Sequence, residues 1–501
     1  MDAYNKYAAL ADTIKIEDIT KDSINRDILH KLEQNEQQSS WELVVIAGER
    51  PSDCNEDDEW YNQHYISNDG EDIGWLGYYI GQNTKLRELN FLKTIDNETF
   101  YNEISRNKSI RVLHYYGCNI SDGRLFSMLD HFFKNNHSLC EIDVSECTLT
   151  PDSIRQLALA IGKCNNSLEC LTFSDNEIGG GQVVDIITAL SMHPQLTELS
   201  LSGINMGRDE CTALSTLLRY TTSMLEKLTL YDSNVDDEGI EDLINVLVNI
   251  NTLEAMNIGS NLSITTRGWK AVANLLEMPN SNLDTLHVVN NSNFGDAGAR
   301  LFATALANNY TLRRLSLTEC GITREGWAPF SKLLCDTSSV NNTYLSNHTL
   351  EEFGNRLQAV PGGVESGLNL NAFDNKDQVA VWKILMYHSH FDMEPFFEWE
   401  FKVLPLMVDW FVKATATAMI SPGTFGRYSQ KINKLRLAVT YDFIKEFPML
   451  YIEHVTRQEI AEYTTMEGEL QSGNIMEGEQ QVKLEKIRQS KARAMRRLGI
   501  E

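Results

Sequence analysis

Residues 139–178 read LCEIDVSECTLTPDSIRQLALAIGKCNNSLECLTFSDNEI and hold two copies of one spacing. Leu139, Ile142, Val144, Cys147 and Leu149 stand at offsets 0, 3, 5, 8 and 10. Leu168, Leu171, Phe173, Asn176 and Ile178 stand at the same offsets. The alternation around +3 and +5 predicts a short strand with one buried face. Working outward, the pattern recurs as Ile110-Leu113-Tyr115-Cys118-Ile120 and Leu312-Leu315-Leu317-Cys320-Ile322, with further copies starting at Leu86, Leu196, Leu225, Leu253, Leu283 and Val340. The starts are 24 to 30 residues apart. A fixed period of this length means stacked units that share a core.

A helix follows each strand. Asp236-Asp237-Glu238-Gly239 leads into Ile240, Leu243, Ile244 and Leu247, and Asp296-Ala297-Gly298 into Ala299, Phe302, Ala303 and Leu306. Arg324-Glu325-Gly326 opens a third helix, ending at Leu334. Spacings of three and four put the apolar residues on one face. These residues resemble the leucine-rich-repeat family, and the step length with its helical second half is similar to the ribonuclease-inhibitor-like subclass of 28–29-residue repeats. The resemblance implies an α/β solenoid, a curved horseshoe with parallel strands inside and helices outside, closed by a C-terminal α-helical cap. The +8 Asn or Cys is expected to satisfy backbone groups left unpaired where the chain turns. Thr94, Ile204, Ser233 and His348 depart from that pattern.

The flanks divide the chain further. Residues 1–40 read as a helical, polar lead-in, and 41–85 as an N-terminal cap with an opening strand at 41–46 and a helix at 75–80. Within that cap, the insertion 47–72 holds nine acidic residues against Arg50, with Trp60, Tyr61 and Tyr65 beside the charge. It reads as a solvated loop, with capture of a basic segment as the alternative. The solenoid spans 86–350. Residues 351–455 form a helical cap domain with helices at 376–387, 395–419 and 428–451, and 456–481 an acidic flexible linker. The last segment, 482–501, carries seven Lys or Arg against Glu485 and Glu501. It reads as a basic helix that folds back on the acidic body or stays solvated, with binding of an acidic partner, anionic lipid or nucleic acid as the alternative.

Composition excludes several classes. The 501 residues carry a net charge of −26, which argues against phosphate or anionic-membrane binding by the surface as a whole. The run 403–420 is broken by Asp409 and Lys413, so no transmembrane segment is expected, and residues 1–20 lack a secretory pattern. Nine cysteines without CxxC spacing read as reduced thiols of a cytoplasmic protein, with a nuclear location as the alternative. His388, His390, Asp392 and Glu394 alternate in a way that scatters them on a helix, so neither metal nor cofactor is expected. The Asn-x-Ser/Thr matches at Asn97, Asn119, Asn261, Asn309 and Asn347 belong to the repeat and are not read as glycosylation sites.

Binding is the reading that remains. Positions +2, +4, +6 and +7 face away from the core frame and supply Glu88, His114, Tyr116, Glu141, Asp143, Glu146, Asp175, Glu198, Tyr231, Asp232, His287 and Tyr344. Of these, Tyr116, Glu141, Asp143, Glu146, Asp175, Glu198, Tyr231 and Asp232 make an acidic strip bordered by tyrosines, suited to a protein with a basic surface. The chain is therefore expected to be a non-catalytic intracellular interaction scaffold that holds its partner on the concave strand face, without specific nucleic-acid binding. Activation of a small GTPase and a ligand-sensing, receptor-like role are the alternatives.

Overall fold

The spaced apolar residues become short parallel strands. The computed structural model describes residues 6–35, 42–47, 63–67, 72–121, 124–164, 168–176, 178, 181–220, 224–278, 281–354, 360–373, 376–388, 460–467 and 478–497. The strands are β1 (Glu42–Ala47), β2 (His64–Ser67), β3 (Glu88–Phe91), β4 (Val112–Tyr116), β5 (Asn119–Ile120), β6 (Glu141–Ser145), β7 (Thr148–Leu149) and β8 (Cys170–Ser174). They continue as β9 (Glu198–Ser200), β10 (Lys227–Thr229), β11 (Ala255–Asn257), β12 (Thr285–His287), β13 (Arg314–Ser316) and β14 (Glu352–Phe353). All but β5 and β7, which pair with each other, form a 12-stranded sheet in the order β14-β13-β12-β11-β10-β9-β8-β6-β4-β3-β1-β2. Every pairing is parallel, the geometry of a leucine-rich-repeat solenoid. The +3 residues Leu113, Ile142, Leu171, Leu199, Leu228, Met256, Leu286 and Leu315 stand in register across it, all buried. Each such burial stabilises the stack by about 1.5–3 kcal/mol.

The +8 column does what its chemistry predicts. Asn176 Nδ2 donates to the Val144 carbonyl (2.8 Å), and its Oδ1 accepts from Cys147 N (2.9 Å). The thiols of Cys147 and Cys320 reach the carbonyls of Tyr115 and Val288 at 3.4 and 3.2 Å. Ser233, a departure in sequence, performs the same task, its hydroxyl donating to Leu201 O at 2.8 Å. A second asparagine ladder pins the turns that enter the strands. Asn107 Nδ2 donates to Ile80 O and Asn83 O (2.7 and 2.8 Å), while its Oδ1 accepts from Ser109 N and Ile110 N (2.8 and 2.9 Å).

Helix starts are also tied between units. Asp237 Oδ1 accepts from Thr265 N (2.7 Å) and Gly268 N (2.9 Å), and Oδ2 accepts from the Thr265 hydroxyl (2.5 Å). A Cβ at position 268 would lie 2.6 Å from Asp237 Oδ1, so only glycine lets the carboxylate approach. Asp237→Ala is expected to cost about 1–2 kcal/mol, the usual worth of a helix cap, seen as a lower urea midpoint for the repeat sheet.

Several expectations are corrected. Val340 does not start a strand, because Val340–Tyr344 is helical and the next strand after β13 is β14. The sheet therefore runs past residue 350. The acidic insertion is not wholly a loop: β2 lies within it, and Tyr65 is buried in the core with its hydroxyl 3.3 Å from Asp72. Asn25 clamps this edge strand by accepting from Ile66 N (3.0 Å) and donating to Ile66 O (2.6 Å). The opening strand and the cap helix appear as β1 and Asp72–Gln82.

Contacts divide the chain into two units, residues 1–329 with 352–360, and residues 330–351 with 361–501. The second unit holds the helices Gly362–Asn371 and Lys376–Tyr387, where Leu370, Val379 and Trp382 form a core with Phe373 stacked edge-on to Trp382 at 4.8 Å. The helices expected at 395–419 and 428–451 lie outside the described residues, as do His390, Asp392 and Glu394. The supposed flexible linker is helical at 460–467, and the basic segment belongs to the helix Gly478–Arg497. Arg488 and Lys491 both reach Glu467, at 2.8 and 3.2 Å. No helix among the described residues is long and apolar enough to cross a membrane.

Candidate functional site

The face of the sheet opposite the buried +3 and +5 side chains is built by the strand register. Glu42, Glu88, Val112, Glu141, Cys170, Glu198, Lys227, Ala255, Thr285, Arg314 and Glu352 stand side by side in one row. The next row holds Asn90, His114, Asp143, Thr172 and Ser200. Neighbours in a row are about 4.8 Å apart, the strand spacing, so charges on adjacent strands interact.

Near β1 to β6 these rows make a connected polar cluster. Asn90 Nδ2 bridges Glu42 Oε1 (2.5 Å) and Glu88 Oε1 (3.2 Å). His114 stands between Glu88 and Asp143, with Nε2 3.7 Å from Glu88 Oε1 and Nδ1 3.2 Å from Asp143 Oδ2. The Ser145 hydroxyl closes the chain by donating to Asp143 Oδ1. Three groups report the same negative potential. Burial raises the Glu141 carboxyl; His114 pulls it back, while Glu88, Asp143 and Glu198 push it up. Burial, then Glu88, raises Glu42. Burial disfavours the charged His114, yet the hydrogen bond and charge of Asp143, with Glu141 and Glu88, hold its imidazole above the ordinary value.

A third feature borders this face. The +7 residues Glu146, Asp175 and Asp232 have φ of 55°, 53° and 51°, in the left-handed region, where Gly117 and Gly203 occupy the equivalent turns. Their N–H groups continue the ladder, donating to Ser174 O, Ser202 O and Gly259 O at 3.0, 2.8 and 2.9 Å. Position 203 must be glycine, since a Cβ there would lie 2.1 Å from Asp175 Oδ1. Tyr116 is 47% exposed, and the neighbouring Glu146 carboxylate pushes its phenol pKa up.

The structure thus brings together Glu141 with Asp143, and Tyr116 with Glu146 and Asp175. It sets two of the expected residues apart. Glu198 is held by Lys227 Nζ at 2.5 Å, and Tyr231 is half-buried, its hydroxyl accepting from Asn290 Nδ2 at 3.1 Å. Tyr344 is not on a strand; it ends the helix Val340–Tyr344. Lys227 and Arg314 were missed, although both stand at +2, the column that supplied Glu88, Glu141 and Glu198. Glu42 was missed because β1 precedes the first recognised copy.

Among curated proteins, the chain is similar to "NACHT, LRR and PYD domains-containing protein 14" of Mus musculus, 25% identical over 270 residues, covering 48% of this chain and 27% of that protein. It is similar to "Ribonuclease inhibitor" of Sus scrofa, 22% identical over 303 residues, covering 49% of this chain and 66% of the inhibitor. The matched region thus spans about a quarter of the first relative and less than two thirds of the second. Among solved structures it is similar to a chain of the Rad7 and Elc1 complex in yeast, with a TM-score of 0.41, 15% identity, and coverage of 73% of this chain and 83% of that one. No protein-family model matches the sequence.

Proposed function

The chain is a leucine-rich-repeat protein, and from that premise we propose that it is a non-catalytic scaffold, cytoplasmic in location, that holds a protein partner against the open strand face. The partner presents Lys or Arg to Glu141, Asp143, Glu146 and Asp175, and packs beside Tyr116. The carrying observation is Tyr116, an exposed aromatic beside the Glu146 and Asp175 carboxylates on a face whose carboxylates keep His114 raised. Exposed aromatics ringed by charge are the usual anchors of protein interfaces. The backbone supports the same reading. Glu146 and Asp175 keep carboxylates in a strained left-handed conformation that glycine adopts freely in the flanking turns, Gly117 one repeat before Glu146 and Gly203 one repeat after Asp175. The pig relative is by name an inhibitor of a ribonuclease, and so engages another protein.

The glycines at 117 and 203 also define a clean test. Glu146→Gly and Asp175→Gly, combined with Tyr116→Ala, leave the turns folded while removing the anchor and two carboxylates. Captured from cell lysate, partners held by the intact chain are expected to bind the triple variant at least tenfold less. Retention should also fall with salt. Identical partner sets at unchanged melting temperature would exclude this face.

A further inference from the structure

A cleft of about 710 Å³ lies not on the strand face but among the turns that enter the first strands. Arg87, Arg106, Lys108 and Arg111 line it, with His137 beside them and Glu169 as the acidic residue in its wall. In a chain of net charge −26 this is a local reversal of sign.

The walls are fixed before any ligand arrives. Asn83 Oδ1 accepts from Lys85 N and Leu86 N (2.8 and 2.7 Å), which shapes the turn carrying Arg87. Asn107 does the same for the turn carrying Lys108 and Arg111, and the Ser109 hydroxyl ties the two turns by donating to Leu86 O at 2.9 Å. Arg87 NH1 is anchored on Ser109 O (2.9 Å), and Arg111 NH2 lies 3.6 Å from Cys140 Sγ. Arg106 shares charge with Glu103 at 3.3 Å.

A single cation after each helix is explained by the dipole at helix C-termini. Four cations lining one cleft are more than that dipole accounts for, three of them following a single helix within residues 106–111. Planar guanidiniums and an ammonium suit phosphate oxygens, which accept several charge-assisted hydrogen bonds at once. The cleft is open, with a volume large enough for a small ligand. We propose that this cleft binds a compact polyphosphate, a small ligand bearing two or more phosphate groups. The proposal stands apart from the strand-face reading.

Isothermal titration of the full chain with inorganic tripolyphosphate and with inositol hexakisphosphate tests it. Vesicles with and without phosphatidylinositol bisphosphate form a second arm, separating a soluble ligand from a lipid headgroup. The decisive variant is Lys108→Gln with Arg111→Gln, which spares the Arg87 anchor. Arg488→Gln with Lys491→Gln controls for the basic helix. The expected result is saturable binding in at least one arm, weakened tenfold or more by the cleft variant at unchanged melting temperature, and little altered by the control. Saturation by soluble probe assigns a free ligand, and saturation by vesicles alone assigns the headgroup. Absence of binding in both arms overturns the proposal. So does binding that the cleft variant retains, or that only the control removes.

Discussion

Asn261→Ala is expected to lower the stability of the repeat sheet by roughly 3–5 kcal/mol, an effect far above that of an ordinary surface change. The side chain is fully buried within hydrogen-bond reach of five backbone groups, the two Nδ2 hydrogens being shared among three carbonyls. Its Nδ2 donates to Leu230 O (2.7 Å), Ile258 O (3.1 Å) and Gly259 O (3.0 Å). Its Oδ1 accepts from Ser233 N (3.2 Å) and Val235 N (2.9 Å). Alanine leaves Leu230 O, Ser233 N and Val235 N without this partner in a place water does not reach, whereas Gly259 O keeps the Asp232 N–H and Ile258 O keeps Asn291 Nδ2; each of the three orphans costs about 1–3 kcal/mol, less than additively when they are neighbours. Asn261→Cys separates this cause from simple loss of volume. Cys320 shows that a thiol at +8 still reaches the preceding carbonyl, so the Cys variant should retain part of what Ala loses. Urea denaturation of the three proteins measures the order intact, Cys, Ala. Equal midpoints for Ala and Cys would mean that the hydrogen bonds are not what this position supplies.

Asn261 also explains how far the fold was legible. A repeat makes each buried column appear many times, so the +3, +5 and +8 positions declare themselves without any structure, and the helices follow from caps and spacing. Where the repeat ends, that redundancy is lost. Val340 matched the strand spacing by composition alone and proved helical, while β2 hid inside an acidic insertion because its two core residues, His64 and Tyr65, have no copies to betray them. The candidate face was half legible. Offsets say which residues point outward, yet not that Lys227 neutralises Glu198, or that Asn90 joins Glu42 to Glu88. The basic cleft was not read from the sequence, because only Arg106, Lys108 and Arg111 are near one another in the chain, Arg87 joins them from the preceding turn, and the net charge of the chain conceals the cluster.

The second large effect belongs to Lys383, in the second unit. The residue is wholly buried on the helix Lys376–Tyr387, with Nζ donating to Leu334 O (2.5 Å), Asn347 O (3.1 Å) and His348 Nδ1 (3.0 Å). His348 is the acceptor because its Nε2–H is spent on Tyr344 O at 2.8 Å. Three acceptors satisfy the ammonium, but burial still outweighs them and pushes the Lys383 pKa from 10.5 down to about 7. Between those values the unfolded chain holds a proton that the folded chain has shed. The unfolded state therefore binds more protons, and stability rises with pH by about 1.4 kcal/mol per unit. The full span amounts to about 5 kcal/mol. Below about pH 7 both states are protonated and the whole cost is present. Above pH 9 the opposite sign enters, since burial raises Cys335 to about 11, so that the unfolded thiol ionises first and folding loses ground. The window from pH 7 to 8.5 isolates the lysine. Across it, urea denaturation of the intact chain should show a gain of about 2 kcal/mol for the second unit. Lys383→Met, with no group to titrate, should show none, whatever it loses at the carbonyls of Leu334 and Asn347. Parallel curves for the two proteins over that window would mean that Lys383 keeps its proton in the folded state, with its three acceptors compensating fully for burial.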